Sequence, residues 1–204
     1  MTERRRSPLG LILLLNLLPG PSHAYRLHKL LEQTGKDRIV KVKTRASVYQ
    51  AIEGLARDGL IEPAGTSSAA GYPDRVEYSI TERGRAVATD WLRELLASTG
   101  PDPTGFIVAL STIFTLAPDD VRRQLETRRE RLTSQLAETE RAISGPGVPP
   151  GLPRLFLLDE HYRHALLTTE LAWTEALIAD LTDGNLNWTR EWLEEVAARF
   201  IQNE

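Results

Sequence analysis

The chain has 204 residues, of which 41% are hydrophobic and 26% charged, a composition typical of a soluble globular protein with one or two domains. It contains no cysteine, which excludes a disulfide framework and cysteine-ligated zinc and fits a reducing cytosol. The net charge of −3 is unevenly distributed: residues 1–100 carry 15 basic and 11 acidic residues, whereas residues 101–204 carry 10 and 17.

The first apolar stretch, Leu9 to Leu18, follows three arginines and precedes a small residue, Ala24, which gives it the outline of a secretory signal peptide. Ten residues are too few to span a bilayer. Ser7 as N-cap and Pro8 in the first turn predict instead a buried helix ending near residue 18. We favour the helix, because cleavage after Ala24 would remove it from the unit described next, and a secreted helical protein stays as the alternative.

Two more helices are predicted before residue 60. One begins with Ser22 as its N-cap and ends near Gly35. The other covers about Thr44–Asp58, with three apolar residues at helical spacing and a glycine at the C′ position: Val48, Ile52, Leu55 and Gly59. Between the two helices the chain is basic, with five cationic residues against Asp37: Lys36, Arg38, Lys41, Lys43 and Arg45.

Two short extended segments follow, Leu60–Ala64 and Arg75–Ile80. The second alternates apolar and polar residues, the period of a half-buried strand. Residues 65–74 between them are rich in Gly, Ser and Ala and predict the tip of a hairpin. Thr81 is the predicted N-cap of a fourth helix, about Glu82–Ser98.

The second half predicts helices only, beyond a boundary at Thr99–Pro103. In its first long helix apolar residues recur every eleven positions, which keeps an apolar stripe on one face. Such stripes exceed what a thin helical layer covers alone, so we expect a two-fold homodimer. The predicted helices, separated by a loop over residues 145–153 and with Asn187 capping the last one, are Phe106–Leu116, Pro118–Ile143, Arg154–Leu181 and Trp188–Phe200.

Three helices followed by a hairpin predict a winged helix-turn-helix in residues 1–100, a DNA-binding domain. An all-helical dimerisation and effector domain follows in residues 101–204, so the fold is mainly α with a small β-hairpin wing. The third helix fits the DNA major groove, where its first residues reach base edges, and the basic stretch faces phosphates. The predicted DNA contacts are Lys41, Lys43, Thr44, Arg45, Ser47, Tyr49, Gln50 and, on the wing, Arg75.

Residues Leu9 to Trp91 resemble the PadR family of regulators. The matching residues are Gly20 to Tyr25 (GPSHAY), Ser47-Val48-Tyr49, Leu55, Gly59-Leu60-Ile61, Arg75, Tyr78, Thr81 to Arg85 (TERGR) and Trp91. The C-terminal half resembles the longer subgroup of that family in its helical pattern only. Gln50 stands where the family commonly has proline, and Glu77 where it has an aromatic residue. The resemblance implies repression of a nearby promoter, relieved by a small molecule.

Aromatic residues of the second half are candidates for an effector pocket, because flat aromatic ligands pack on aromatic walls. They are Phe106, Phe156, Trp173, Trp188 and Trp192, with core or dimer packing as the more frequent role of such residues. His161 and His164 share a helix face but lack further ligands, so no metal site is predicted. No nucleophile elbow, Walker loop or GxGxxG appears, so neither an enzyme nor a cofactor is predicted. His23, Tyr25 and Trp91 are predicted to be structural.

The sequence therefore predicts a cytoplasmic homodimer that binds a double-stranded, palindromic DNA operator, with no membrane association. A small aromatic effector is an additional expected partner. Two alternatives stay open. Nothing in the sequence distinguishes a repressor from an activator, and some winged helices serve protein–protein assembly without binding DNA.

Overall fold

The computed structural model describes residues 7–40, 42, 44–67, 75–100 and 102–201. The regular elements of these residues are helices and one small antiparallel sheet, so the predicted mainly α fold with a hairpin wing is confirmed. The chain divides into two compact units, Met1–Leu95 with Pro101–Thr115 and Leu96–Gly100 with Leu116–Glu204. Residues 101–115 are thus grouped with the first unit, and the functional division at residue 100 stays a prediction.

The first unit contains the predicted elements in their predicted order together with two that were not predicted, β1 and α3, and α5 ends just beyond the unit. They are α1 (Pro8–Asn16), β1 (Ser22–His23), α2 (Ala24–Gln33), α3 (Lys36–Ile39), α4 (Arg45–Arg57), β2 (Ile61–Ser67), β3 (Arg75–Ile80), α5 (Glu82–Ala97), α6 (Thr104–Leu110) and a 3-10 turn at Ile113–Thr115.

Helix α1 is apolar on every side and is buried on every side, as a helix with no polar face has to be. Its residues Leu11 to Leu14 have no exposed surface, and the helix packs against α4 and α6. The stretch that resembles a signal peptide is therefore the centre of this unit's core. None of the described helices, α1 included, combines the length and apolarity of a membrane span.

The sheet has the order β1-β3-β2, with both pairings antiparallel. The hairpin β2–β3 was predicted, whereas β1, a two-residue strand beside Tyr78 and Glu77, was not. The predicted N-cap of α2, Ser22, is wrong: Ser22 lies in β1, and the next residue caps the helix. Nδ1 of His23 accepts a hydrogen bond from the N–H of Arg26 at 3.1 Å.

The turn after α4 positions the sheet. Gly59 has φ of +68°, and the N–H of Leu60 donates to the carbonyl oxygen of Leu55 at 2.9 Å, the closing bond of a Schellman motif. Oγ1 of Thr81 donates to the carbonyl oxygen of Gly59 at 2.9 Å and accepts from the N–H of Gly84 at 3.0 Å. One threonine therefore caps α5 as predicted and also ties its start to the end of α4.

The basic stretch before α4 contains a short helix, α3, where the sequence predicted none. Nζ of Lys36 lies 5.8 Å from the ring centre of Phe114, and burial lowers the pKa of this lysine. Helix α3 also packs against α6, which is why residues 101–115 join the first unit. Local patterning had placed them with the second half because Thr99–Pro103 reads as a domain boundary.

The second unit contains α7 (Pro118–Ser144), a 3-10 turn at Arg154–Leu157, α8 (Leu158–Thr182) and α9 (Arg190–Ile201), and α7 packs along α8. The eleven-residue stripe of α7 faces inward, with Val121, Leu125 and Leu132 fully buried. The predicted cap of the last helix, Asn187, is wrong. Asn187 bonds only the next N–H, whereas Oγ1 of Thr189 accepts from the N–H of Trp192 at 3.2 Å.

A charged pair interrupts the apolar contact between α7 and α8. The side chain of Arg128 is 2% exposed and pairs with the carboxylate of Glu170, which is 37% exposed. Burial lowers the pKa of Arg128 to about 10, still well above neutral pH, so the guanidinium stays charged inside the unit. Glu170 supplies the counter-charge that makes this burial tolerable.

Candidate nucleic-acid interface

The entry of α4 is built by its N-cap. Oγ1 of Thr44 accepts from the N–H of Ser47 at 3.4 Å and lies 3.1 Å from the hydroxyl of that serine. This bond satisfies one of the unpaired N–H groups of the first turn and leaves the others pointing out of the helix end. The entry thus combines free first-turn N–H groups, the positive end of the helix dipole and two hydroxyls, which suits an anionic ligand.

Helix α4 separates its residues into a packed face and a solvent face. Val48, Ile52 and Leu55 are buried, as their spacing predicted. Arg45 and Gln50 are exposed. Tyr49, one of the predicted DNA contacts, is 46% exposed and does not belong to the core face.

The described contact candidates occupy two places in the first unit. One place is the start of α4, where its N-cap and first turns contain Thr44, Arg45, Ser47, Tyr49 and Gln50. The other is the wing, where Arg75 is the first residue of β3. The other two candidates, Lys41 and Lys43, lie outside the described residues. The roles of all eight in binding stay predictions, and the structure supplies only the positions of the described six.

An aromatic ring joins the two places. The guanidinium carbon of Arg45 lies 5.4 Å from the ring centre of Tyr25, and that of Arg75 lies 5.1 Å from the same centre. The ring of His23 stacks on Tyr25, with centres 6.2 Å apart and planes 23° apart. We call these four residues, His23, Tyr25, Arg45 and Arg75, the Tyr25 cluster.

Sequence reasoning missed the position of Tyr25. The residue is in the first turn of α2 and 38% exposed, whereas the sequence analysis placed it among structural residues. No local pattern reveals the cluster, because its arginines are 20 and 50 residues further along the chain. The one signal in the sequence is that Tyr25 lies two positions after His23, close enough for the two rings to stack.

A cavity of about 200 Å³ lies behind the α4 entry, lined by residues of α2, α3 and the segment leading into α4: His28, Leu31, Glu32, Asp37, Val42, Thr44 and Arg45. Nδ1 of His28, a buried residue, is 3.5 Å from a carboxylate oxygen of Glu32. Among the described residues no group of three or more His, Asp or Glu side chains is arranged to hold a metal ion.

The five candidate effector residues differ in their surroundings. Trp188 is buried, and its Nε1 donates to the carbonyl oxygen of Leu116 at 2.9 Å. Phe156, Trp173 and Trp192 are 66%, 47% and 50% exposed. Phe106, the fifth, is half-buried and falls in the first unit. The assignment of these residues to an effector stays a prediction.

Comparison with known proteins identifies the N-terminal part. Residues 13–90 match the model of the transcriptional regulator PadR-like family. No curated protein sequence matches the chain. Similar solved structures include Bacillus subtilis PadR in complex with operator DNA, with 15% identity and a TM-score of 0.38 over 85% of this chain and 98% of that one.

Two further similar structures have comparable scores. The protein smu.1604c from Streptococcus mutans UA159 has 19% identity and a TM-score of 0.36 over 83% of this chain and 98% of its own. Bacillus subtilis PadR in complex with p-coumaric acid has 15% identity and a TM-score of 0.33 over 86% and 99%. Residues 13–90 are therefore similar in sequence to the PadR-like family, a family of transcriptional regulators.

Proposed function

We propose that this protein is a homodimeric transcriptional regulator that binds a palindromic DNA operator through α4 and the wing. The observation that carries the proposal is the two-faced α4. Its apolar residues are buried in the unit, while Arg45, Tyr49 and Gln50 at its entry are exposed. These residue types suit both backbone binding and base recognition, because Arg donates to guanine or phosphate and Gln pairs with adenine.

The distribution of charge supports the same surface. The half of the chain that contains α4 carries an excess of four basic residues, and the other half an excess of seven acidic residues. DNA presents a dense row of phosphates, so it attracts the first half and repels the second. The N-terminal unit is therefore the half expected to lie against DNA.

An exposed face of α8 supports the homodimer. Leu158, Tyr162, Leu166 and Trp173 follow one another at spacings of four, four and seven residues, so they share one side of the helix. They are 48%, 68%, 52% and 47% exposed. We call them the α8 apolar face, and we propose that a second copy of this chain covers it.

A second copy is the partner that fits this face. Two-fold pairing through identical faces buries the same apolar residues in both copies, and it leaves no such face exposed for a third copy. A two-fold dimer also presents two recognition helices to two half-sites about 34 Å apart, as a palindromic operator requires. We propose a cytoplasmic location, because the operator lies there and a chain without cysteines fits a reducing compartment.

The proposal also covers whether the protein represses or activates transcription and what releases it from DNA. A dimer seated over a promoter blocks polymerase, so we propose a repressor released by a small aromatic molecule. Two exposed aromatic residues of the second unit outside the α8 apolar face, Phe156 and Trp192, support this choice of ligand class. An activator is the alternative, and a reporter driven by the upstream promoter distinguishes the two by rising or falling when the gene is deleted.

The experiment that tests the DNA-binding proposal is binding of the full chain to its own upstream intergenic DNA across a salt series. Specific affinity should fall steeply as salt rises, because bound phosphates release counterions. Arg45→Ala should weaken binding without unfolding the protein, whereas Arg57→Ala, an exposed arginine at the other end of α4, is the matched control.

Three outcomes contradict parts of this proposal. Absence of salt-dependent binding with the dimer intact favours the assembly module that the sequence left open. Unchanged affinity of Arg45→Ala removes that residue from the interface. Equal losses for Arg45→Ala and Arg57→Ala show that net charge, and not the α4 entry, determines the affinity.

A further inference from the structure

The Tyr25 cluster brings together cations from two elements that are not neighbours in sequence. Arg45 is the first residue of the recognition helix α4, and Arg75 is the first residue of the wing strand β3. Because both guanidinium carbons lie within 5.4 Å of one ring centre, they are at most about 11 Å apart. Helix and wing therefore meet at a single aromatic side chain that belongs to neither.

The contacts are attractive in a way that restricts the arginines. A guanidinium within about 6 Å of a tyrosine ring centre is drawn to the negative face of the ring and stacks on it. Stacking limits the rotamers of a long side chain whose freedom would otherwise be lost when it binds a ligand. The stacked ring of His23, itself held as the N-cap of α2, limits in turn the movement of Tyr25.

Two cations held on one ring repel each other, and an anion that both can reach relieves that repulsion. A DNA strand offers such anions in a row, so neighbouring phosphodiester groups are the ligand that fits two arginines at most about 11 Å apart. The ring itself carries no charge and contributes by placing the arginines.

We propose that Tyr25 is a positioning residue that holds Arg45 and Arg75 together as a clamp for the phosphodiester backbone of DNA. This inference rests on the proposed function, since it names how the DNA-binding surface is organised. It makes the contacts of the helix and of the wing interdependent: the loss of one uncharged ring weakens two charged contacts at once.

The test uses the whole 204-residue chain and measures the observed binding constant for upstream DNA between low and moderate salt. Each lost phosphate contact lowers the slope of log K against log salt by about 0.9. Tyr25→Leu should lower the slope by about 0.9 to 1.8, although it removes no charge. Tyr25→Phe, which keeps the ring, should keep the wild-type slope.

A second comparison distinguishes positioning from a general loss of structure. In an Arg45→Ala/Arg75→Ala background, adding Tyr25→Leu should change the slope no further, because the ring then has nothing left to position. Tyr25→Gln is a second ringless variant for use if Tyr25→Leu fails to fold, judged by circular dichroism and thermal melting. A purely structural role would reduce the amount of active protein but leave the salt slope of the active fraction unchanged.

The outcomes separate the two proposals. If the wild type shows no salt-dependent binding, the proposed function fails and the clamp fails with it. If the wild type binds and the ringless variants keep its slope, DNA binding stands and the clamp is overturned. If Tyr25→Phe loses as much affinity as Tyr25→Leu, the hydroxyl contacts DNA itself and the positioning role of the ring is overturned.

Discussion

The α8 apolar face gives a prediction whose size follows from exposure. Full burial of a leucine side chain is worth about 1.5–3 kcal/mol. Since Leu166 is 52% exposed in the single chain, pairing can bury about half of it, worth roughly 1 kcal/mol. Two-fold symmetry counts this contact twice, so Leu166→Ala should weaken the dimer by about 2 kcal/mol, or about 30-fold in Kd.

A charge at the same position should have a larger effect. Leu166→Glu removes the same burial and also places two unpaired carboxylates in an apolar interface, so Kd should rise on the order of 1,000-fold or more. Sedimentation equilibrium over a dilution series measures the dimer constant directly. Circular dichroism should stay unchanged, because the side chain lies outside the core of the unit.

The control for this experiment is Thr168→Glu, which adds the same charge at an exposed position of α8. Residue 168 is two positions from Leu166, about 200° around the helix, so it lies off the apolar face. Its dimer constant should match the wild type. A Leu166→Glu protein that dimerises as tightly as the wild type would refute the reasoning, and equal losses for both variants would attribute the effect to net charge.

Three further predictions concern stability. Gly84→Ala should lower the free energy of unfolding by about 1–3 kcal/mol, because a Cβ at Gly84 collides with the backbone oxygen of Leu60. Gly54→Ala in α4, where a Cβ meets only open space and the tip of one arginine side chain, should raise it by about 0.5–1 kcal/mol. Urea unfolding of both variants checks the opposite signs, and equal signs would contradict the contact argument. Glu170→Ala should cost about 3 kcal/mol by leaving Arg128 buried without its carboxylate, and replacing both residues by Met should restore most of it. Full stability in Glu170→Ala would show that the pair does not support the α7–α8 contact.

Local signals explain why so much of the fold was predictable. The N-cap at Thr81, the glycine with positive φ at Gly59 and the loop over residues 145–153 each act within a few residues. Periodicity then identified the buried side of each helix, as the stripe of α7 shows. These features depend on backbone geometry and residue spacing, which any single sequence displays.

The cap prediction for α2 failed because two local candidates competed. Ser22 and His23 are both plausible caps for α2, and pairing of Ser22 with Tyr78 on β3 decides in favour of His23. The packing of α6 against α1 and α3, just after the Thr99–Pro103 segment, was also not predicted, and the functional division at residue 100 stays a prediction. In both cases the deciding contact comes from a distant part of the chain.

The sequence by itself determined the order of the elements, the buried face of α4 and the basic entry of that helix, because periodicity, caps and charge are local properties. Only the tertiary structure decided that Arg45 and Arg75 meet at Tyr25, that Arg128 is buried beside Glu170, and that α8 leaves an apolar face uncovered. Such contacts join residues tens of positions apart, and their geometry exists only once the helices and the sheet have packed.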